Sequence, residues 1–345
     1  MKMVDYSNNL NGIKPPDYIL GMIKDNYSVF MEYDGQEPII AISSISKFSG
    51  ISTKNITWCN GTTQAFFTLP RVLPTGKVLI IGPTFWEYPM ANERIKENKI
   101  TFYLTNEENN FVPEYTRLSE KIKDSKVVYL CNPNNPTSVM YDKGKIVDLI
   151  KSNSEVYFVV DETYLMFRED YSNQTLTKLS CELPNLYVVT SFSKFYSLPG
   201  IRMGFITSCL ENIEKYKKFS IPYIHNPLVN RLLPTLLDDK QFSQKIYNFY
   251  KLERIDFYNK LIKNNISVLK IFKPDANFIL AKVLVKNYDG KSIEKILAEK
   301  GLIIRDASIY KGLDNSWLRF SIKSRKENRL LLRVLKKSTL QIKIS

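Results

Sequence analysis

Short apolar stretches separated by helix-length segments are the feature that most restricts the fold of this chain. Strand-like runs occupy residues 77–81, 100–104, 127–130, 156–160, 186–190 and 204–208. This alternation favours a mostly parallel β-sheet that is covered by helices on both faces. In such sheets, ligands bind at the edge that is formed by the carboxyl ends of the strands. The sequence therefore predicts an α/β domain with a binding site where these strands end.

The remaining segments suggest how the chain is divided. Helical patterns cover residues 36–50, 62–73, 242–262 and 327–337, and further strand-like runs lie within 271–283, at 303–304 and at 318–322. The first residues contain Asn8-Asn9-Leu10-Asn11-Gly12 and Pro15-Pro16, which predict an irregular segment. We therefore expect an N-terminal arm over residues 1–35, a large domain over 36–240 and a smaller α+β domain over 241–345.

Composition argues against several classes of protein. The 345-residue chain has no run of eighteen apolar residues and no apolar signal core after Met1, so we expect a cytoplasmic protein without a membrane partner. Four scattered cysteines and one histidine predict free thiols and no metal site. The net charge of +14 is spread along the chain rather than concentrated in one basic run. We therefore expect no specific nucleic-acid partner, and the positive field suits an anionic substrate.

One lysine has an unusual setting, because Lys194 directly follows the strand-like run 186–190. Ser191 and Ser193 precede it and Arg202 follows it. A lysine in a dry site can lose its proton and attack a carbonyl group. The neighbouring hydroxyl and guanidinium groups suit an anion such as phosphate. The segment therefore predicts a reactive amine beside an anion site.

Other strand ends supply complementary groups. Asp161 ends the apolar run 156–160, where a carboxylate is costly unless it meets a cation. Gly61, Thr62 and Thr63 begin a predicted helix, whose backbone N–H groups can hold a phosphate. Phe85 offers a flat aromatic face. An amine, a carboxylate for a protonated ring nitrogen, a phosphate cup and an aromatic face together predict pyridoxal 5′-phosphate (PLP).

The same residues resemble a known family, the class I/II aminotransferases of PLP fold type I. The resemblance rests on Ser191-x-Ser193-Lys194 followed by Arg202-x-Gly204, on the turn Asn132-Pro-Asn-Asn-Pro-Thr137 and on Asp161-Glu-Thr-Tyr164. It extends over nearly the whole chain. It implies a large PLP-binding domain with a mostly parallel sheet, a smaller C-terminal domain and a homodimer with sites at its interface.

The resemblance also implies roles for individual residues. Lys194 would form the Schiff base and later move protons, Asp161 would keep the ring nitrogen protonated, and Tyr164 would bind the phenolate oxygen. The implied cofactor-binding residues are Gly61, Thr62, Thr63, Phe85, Asn135, Asp161, Tyr164, Ser191, Ser193, Lys194 and Arg202, with Tyr33 reaching the neighbouring subunit. The substrate-binding candidates are Asn11, Asn135, Arg305 and Arg319, the last as a carboxylate clamp.

Within the family the sequence is most similar to threonine-phosphate decarboxylases and histidinol-phosphate aminotransferases, through Phe85-Trp86-Glu87-Tyr88 and the segment around Lys194. Both take phosphorylated substrates. Tyr164 and the lack of an initial His-Gly-Gly-Asn stretch favour transamination of an amino acid or phosphorylated amino substrate. Decarboxylation of O-phospho-L-threonine or O-phospho-L-serine, as in cobalamin biosynthesis, stays open as the alternative. A non-catalytic binding or regulatory protein of this fold is a third reading, against which Lys194 and Asp161 argue.

Overall fold

The computed structural model describes residues 3–31, 33–264 and 266–344, with side chains described as far as Ser338. The strands are β1 (Val4–Asp5), β2 (Ile56–Asn60), β3 (Lys77–Gly82), β4 (Lys99–Leu104), β5 (Val127–Cys131), β6 (Tyr157–Asp161), β7 (Leu186–Ser191), β8 (Met203–Thr207), β9 (Leu269–Ile271), β10 (Phe278–Val283), β11 (Leu302–Ile303), β12 (Arg305–Asp306) and β13 (Trp317–Ser321).

The helices are α1 (Asp17–Asp25), α2 (Ile39–Ser49), α3 (Thr62–Val72), α4 (Glu87–Asn92), α5 (Tyr115–Lys123), α6 (Lys143–Ser152), α7 (Tyr171–Gln174), α8 (Thr177–Ser180), α9 (Leu210–Lys217), α10 (Val229–Asp238), α11 (Lys240–Lys263), α12 (Gly290–Ala298) and α13 (Arg325–Ile344). No helix in the described part of the chain is long and apolar enough to cross a membrane.

A seven-stranded sheet with the order β2-β8-β7-β6-β5-β3-β4 forms the centre of the large domain. All neighbouring pairs are parallel except those that involve β8, which runs against both β7 and β2. The predicted mostly parallel sheet is therefore confirmed. Strand β2 was not predicted, because Trp58–Asn60 were interpreted as a break before the following helix, whereas they pair with β8.

Both faces of this sheet are buried, as the continuous apolar runs require. Side chains alternate along a strand, so Val78 and Ile80 belong to one apolar core while Leu79 and Ile81 belong to the core on the opposite face. All four side chains are buried. Burial on both faces leaves the edge at the strand ends as the place where polar side chains can gather.

The C-terminal part contains a separate antiparallel sheet with the order β12-β13-β10-β9. In its central pair, Leu280 lies opposite Arg319 and Ile279 opposite Phe320. Helices α11, α12 and α13 accompany this sheet, which confirms the predicted α+β character of the region. The boundaries at residues 35 and 240 remain a prediction.

The N-terminal segment is more ordered than the sequence indicated. Strand β1 pairs in parallel with β11, and Tyr6 is completely buried. Helix α1 and a short 3-10 helix at Tyr27–Met31 follow. The prediction of an irregular segment over residues 1–35 is therefore wrong for these elements, because their pairing and packing depend on residues far along the chain.

Candidate active site

A cavity of about 260 Å³ opens at the carboxyl edge of the large sheet. The predicted residues that line it are Gly61, Thr62, Thr63, Phe85, Asn135, Asp161, Tyr164, Ser191, Ser193, Lys194, Arg202, Arg305 and Arg319. They come from the ends of β6 and β7, from the segments that follow β2, β3, β5, β6 and β7, from the position before β8, and from β12 and β13 of the smaller sheet. The fold thus brings together residues that are up to 258 positions apart, from Gly61 to Arg319.

One wall of the cavity is built like an anion cup. Gly61 precedes helix α3, so the N–H groups of the first turn, at Thr62 and Thr63, have no partner within the helix. The hydroxyl groups of Ser191 and Ser193 lie at the end of β7 and are both buried. Hydroxyls, helix N–H groups and the Arg202 guanidinium are the donors that a phosphate prefers.

Two glycines make room for close contacts around this cup. A Cβ atom at Gly61 would lie 2.2 Å from Arg202 Nη2, and one at Gly204 would lie 2.9 Å from Cys59 Sγ. Gly61 also has a φ of +77°. Arg202 itself has a left-handed conformation with a φ of +63°, which is unusual for a residue with a side chain. Gly61 therefore leaves room for the Arg202 guanidinium at the start of α3, and Gly204 leaves room for Cys59 on the neighbouring strand.

Lys194 is largely buried beside three other cationic side chains. Its Nζ donates a hydrogen bond of 3.2 Å to the carbonyl oxygen of Asn8. Burial, followed by the charges of Arg319 and Arg202, lowers the pKa of Lys194 to about 8. The amine is therefore easier to deprotonate than a surface lysine, as a nucleophile or proton carrier requires.

Asp161 is buried and both of its carboxylate oxygens accept hydrogen bonds. Oδ1 accepts from the backbone N–H of Thr163 at 2.9 Å, and Oδ2 accepts from the phenol of Tyr88 at 2.5 Å. Burial raises the pKa of Asp161, while the bonds from Thr163 and Tyr88 act in the opposite direction. The two donors fix the carboxylate and favour its charged form.

Arg319 also lines the cavity, and hydrogen bonds to three residues hold its guanidinium in place. Its Nη1 donates to Asn135 Oδ1 at 2.5 Å and to the Tyr310 phenol at 2.6 Å. Its Nη2 donates to the carbonyl oxygen of Ser7. The buried Nε has no hydrogen-bond partner in the described structure. This orphaned donor beside a cavity is free for an anionic ligand.

Arg305 lies directly opposite Arg319 in the antiparallel pair of β12 and β13. Its buried Nε also lacks a partner among the described residues. Opposed side chains in such a pair lie on one face of the sheet with their Cβ atoms about 5 Å apart. Two like charges in this position repel each other unless an anion lies between them.

Aromatic residues form the remaining walls. Tyr164 is buried, its phenol oxygen accepts a hydrogen bond of 3.3 Å from Asn9 Nδ2, and burial raises its pKa. Phe85 packs against Trp86, with ring centroids 4.7 Å apart, and both rings line the cavity. Phe85 therefore presents an aromatic face on the wall that also carries the anion cup.

Two predicted residues do not line the cavity of this chain. Asn11 Nδ2 donates to the carbonyl oxygen of Phe195 at 2.7 Å, and its Oδ1 accepts from the N–H of Ile13. Its amide is thus engaged in holding the segment after Lys194, and the prediction of a substrate contact is not supported. Tyr33 is 90% exposed and packs edge-on against Tyr223, 5.5 Å away. Its predicted role concerns a second subunit and stays a prediction.

Sequence reasoning did not assign several residues that take part in the site. Tyr88 binds Asp161, Glu87 lines the anion cup, and Asn8 and Tyr310 contact Lys194 and Arg319. The segment Phe85-Trp86-Glu87-Tyr88 did carry a signal, because its polar residues follow a buried strand. Nothing local marks Asn8, whose contribution is a backbone carbonyl group.

Comparison with known proteins agrees with this geometry. The sequence model of the family described as "Aminotransferase class I and II" matches residues 31–335. The chain belongs to the class I and II aminotransferase family. A relative from Caldanaerobacter subterraneus subsp. tengcongensis, which carries the provisional name threonine-phosphate decarboxylase, is 27% identical over 95% of this chain and 88% of its own length.

Two further similar proteins are histidinol-phosphate aminotransferases. Histidinol-phosphate aminotransferase from Buchnera aphidicola subsp. Cinara cedri is 29% identical over 91% of this chain and 87% of that protein. The crystal structure of histidinol-phosphate aminotransferase from Clostridium acetobutylicum matches with a TM-score of 0.89 and 26% identity, covering 98% of this chain and 100% of that one. The protein is thus a PLP-dependent enzyme with fold type I.

The residues around the cavity fit the family's cofactor. Arg202, the start of α3 and the two serines would hold its phosphate, Phe85 would lie on its ring and Asp161 would meet its ring nitrogen. Buried polar atoms without a partner, such as Thr163 Oγ1 and Glu87 Oε2, mark space that a polar ligand can use. A Cβ atom at Gly61 would fill part of the space that the Arg202 guanidinium occupies beside this cup.

Proposed function

We propose that this enzyme transfers the amino group of a phosphorylated amino substrate to an oxo acid, with Lys194 as the residue that binds the cofactor covalently. The observation that carries the substrate class is the pair Arg305 and Arg319, opposed in register at the cavity. Each guanidinium retains a buried Nε without a partner in the described structure. A phosphate dianion between them offsets their repulsion and accepts several charge-assisted hydrogen bonds.

The roles of the chain's own groups follow from their positions. When bound, PLP withdraws electrons from the bonds at the α-carbon of an amino substrate. With its pKa near 8, Lys194 can take a proton from that carbon and return one elsewhere. Asp161 would hold a protonated ring nitrogen through its charge, and Tyr164 would supply a phenol to the ring oxygen. Arg319 orients the substrate through one of its anionic groups.

Decarboxylation of O-phospho-L-threonine or O-phospho-L-serine is the second candidate. The specific observation in its favour is the relative with the decarboxylase name, which spans 95% of this chain. In that case one of the two arginines would bind the carboxylate of the substrate and the other would bind its phosphate. The reaction would depend on a carboxylate that stands perpendicular to the cofactor ring instead of lying in its plane.

A substrate panel separates the two candidates. The holoenzyme is mixed with L-histidinol phosphate, O-phospho-L-threonine or O-phospho-L-serine in stoichiometric amounts without an oxo acid, and the products are identified by mass. Replacement of the amine by a carbonyl oxygen supports transamination. Loss of CO₂ with retention of the amine contradicts it and supports the decarboxylase. Unphosphorylated analogues serve as controls, because they should react far more slowly if Arg305 and Arg319 bind phosphate.

We further propose that the enzyme is a homodimer that uses one exposed apolar surface. The surface consists of exposed side chains from two segments: Tyr27, Phe30, Met31, Tyr33, Ile39, Ile40, Phe219, Ile221 and Tyr223. A cluster of exposed apolar side chains of this size favours association with another protein chain. It carries Tyr33, whose proposed role is to reach the cofactor phosphate of the other subunit.

Light scattering during size-exclusion chromatography tests the dimer. We expect twice the 40.1 kDa mass of the chain for the wild-type protein. Ile221→Asp should give a monomer, whereas Leu252→Asp, an equally exposed position on α11, should leave the mass unchanged. A monomeric wild-type protein with full activity would contradict both the dimer and the role of Tyr33.

A further inference from the structure

The cavity contains a carboxyl group that the proposed reaction does not use. Its lining includes four cationic side chains and two acidic ones, Asp161 and Glu87. Glu87 begins α4, directly after the two aromatic residues of the cavity wall. Its Oε1 accepts a hydrogen bond of 3.2 Å from Thr63 Oγ1, and its buried Oε2 has no partner in the described structure.

This hydrogen bond conflicts with phosphate binding. The hydroxyl of Thr63 has one proton, so it can serve either Glu87 or a phosphate in the cup at the start of α3. A second, electrostatic conflict arises because a phosphate dianion would approach an ionised carboxylate.

Protonation of Glu87 removes both conflicts. A neutral carboxyl group does not repel the phosphate, and it can donate its proton to a phosphate oxygen or to another acceptor in the cup. The hydroxyl of Thr63 then becomes free to turn toward the phosphate. Binding of a phosphate in the cup and proton uptake by Glu87 should therefore be thermodynamically linked.

The surroundings of Glu87 make its protonation easier than that of an exposed glutamate. Burial is the largest influence and raises the pKa of Glu87, and the charge of Asp161 acts in the same direction. The hydrogen bond from Thr63 and the charges of Arg202 and Lys194 lower it, but the pKa stays above its ordinary value. These groups face Glu87 from the start of α3, the end of β6, the loop after β7 and the position before β8.

We propose that Glu87 is a proton-coupled gate of the cofactor-phosphate site: it takes up a proton when the phosphate enters, so affinity for PLP decreases as the pH rises. The proposal rests on the use of PLP described above. Below the pH at which free Glu87 is protonated, the linkage disappears. Above it, the affinity falls by at most about tenfold per pH unit, the limit for one proton. The phosphate site would therefore bind PLP more tightly at neutral pH than at alkaline pH.

The test compares Glu87→Gln with the wild type. Dissociation constants of PLP are measured for apoprotein prepared from the holoenzyme, by visible absorbance, between about pH 6 and pH 9. The ratio of the wild-type constant to the variant constant cancels the titrations that the two proteins share, and the pyridoxal control described below accounts for the influence of Glu87 on the pKa of Lys194. We expect this ratio to increase with pH, up to about tenfold per unit. A ratio that stays constant over the range would overturn the proposal.

Two controls sharpen the test. Glu93→Gln removes the same charge from an exposed position directly after α4 and should follow the wild type at every pH. Pyridoxal, which lacks the phosphate, shows the part of the pH dependence that arises through Lys194, and its ratio should change with pH much less than the PLP ratio does. If pyridoxal shows the same pH dependence as PLP, Glu87 senses another part of the cofactor and the gate is wrong.

A measurement on the wild-type protein alone tests the proposal even if the Glu87→Gln variant does not fold. Titration calorimetry near pH 8 in two buffers of different ionisation enthalpy gives the number of protons taken up on binding. Binding of PLP should be accompanied by the uptake of more protons than binding of pyridoxal. Equal numbers of protons would refute the gate. Failure of the wild type to bind PLP at all would instead refute the proposed function, so the two failures can be told apart.

Discussion

The phenol of Tyr88 lies 2.5 Å from Oδ2 of Asp161, and a cage of aromatic rings fixes it there. Tyr88 is 1% exposed and packs against Phe66, Phe85 and Tyr129, with ring centroids 4.8, 5.8 and 5.6 Å away. A donor this well positioned stabilises the charged carboxylate. Through this hydrogen bond, α4 supports the Asp161 carboxylate, which we propose to bind the cofactor ring.

Tyr88→Phe should weaken that support without creating a cavity. Without the phenol, the pKa of Asp161 should rise, because burial already raises it and one opposing hydrogen bond is lost. Less positive charge on the ring nitrogen should then raise the pKa seen in the visible absorption of the holoenzyme, and kcat should fall about tenfold, as for loss of roughly 1.4 kcal/mol. Spectrophotometric pH titration measures the first effect.

The matched control is Tyr129→Phe. The Tyr129 phenol is buried in the same cage but makes no hydrogen bond in the described structure. This variant should titrate like the wild type. If both variants shift the absorption equally, the effect comes from the cage and not from the bond to Asp161.

Lys194 should determine how the rate of cofactor attachment depends on pH. Only the neutral amine attacks a carbonyl group, and the pKa of Lys194 is about 8. Stopped-flow rates with apoprotein should rise about tenfold per pH unit below this value and level off above it. Lys194→Ala should retain no cofactor after borohydride reduction, whereas Lys47→Ala, at an exposed surface ion pair, should retain it. A rate that continues to rise to pH values near 10, where an ordinary lysine titrates, would contradict the account.

Gly61→Ala should damage the anion cup. The added Cβ would lie 2.2 Å from Arg202 Nη2, and the φ of +77° strains any other residue. We expect a loss of about 1–3 kcal/mol in the free energy of unfolding and weaker PLP binding. Gly200→Ala is the control, because its Cβ would meet nothing within 4 Å. Thermal denaturation and PLP titration of both variants check this, and equal behaviour would refute the close passage of Arg202.

Arg305 and Arg319 should respond differently to substitution. Arg305→Gln should raise KM for a phosphorylated substrate by about 10- to 100-fold, as for loss of roughly 1.5–3 kcal/mol from a charged hydrogen bond. Arg319→Lys should also lower kcat, because a lysine cannot make the bonds from Arg319 to Asn135, Tyr310 and Ser7 simultaneously. Steady-state kinetics separates the two effects, and an unchanged KM in Arg305→Gln would exclude it from the substrate site.

Most of the large sheet could be predicted because its strands carry apolar runs and most of the active-site segments follow a strand. Lys194, Asp161 and Gly61 were identified by the type and order of residues at these ends. Strand β2 was missed because Trp58–Asn60 are too short a signal without knowledge of their partner β8. Asn11 was assigned to the substrate although its amide holds Phe195, a contact between residues 184 positions apart.

Contacts between residues far apart in the sequence also explain why the N-terminal segment was not predicted. Its polar, asparagine-rich sequence indicated irregular structure, yet the carbonyl groups of Ser7 and Asn8 contact Arg319 and Lys194. Backbone groups are common to all residues, so no residue type reveals such contacts. The role of Tyr88 likewise depends on the distance to Asp161, which only the folded chain defines.

Transfer of a labelled amino group tests the central claim most directly. The holoenzyme is incubated with amino-15N-labelled L-histidinol phosphate or O-phospho-L-threonine and a mixture of 2-oxoglutarate and pyruvate. We expect the label to appear in the amino acid formed from an oxo acid, and we expect Lys194→Ala to abolish the transfer. Label that stays on a product that has lost CO₂, with no label in any oxo-acid-derived amino acid, would contradict it.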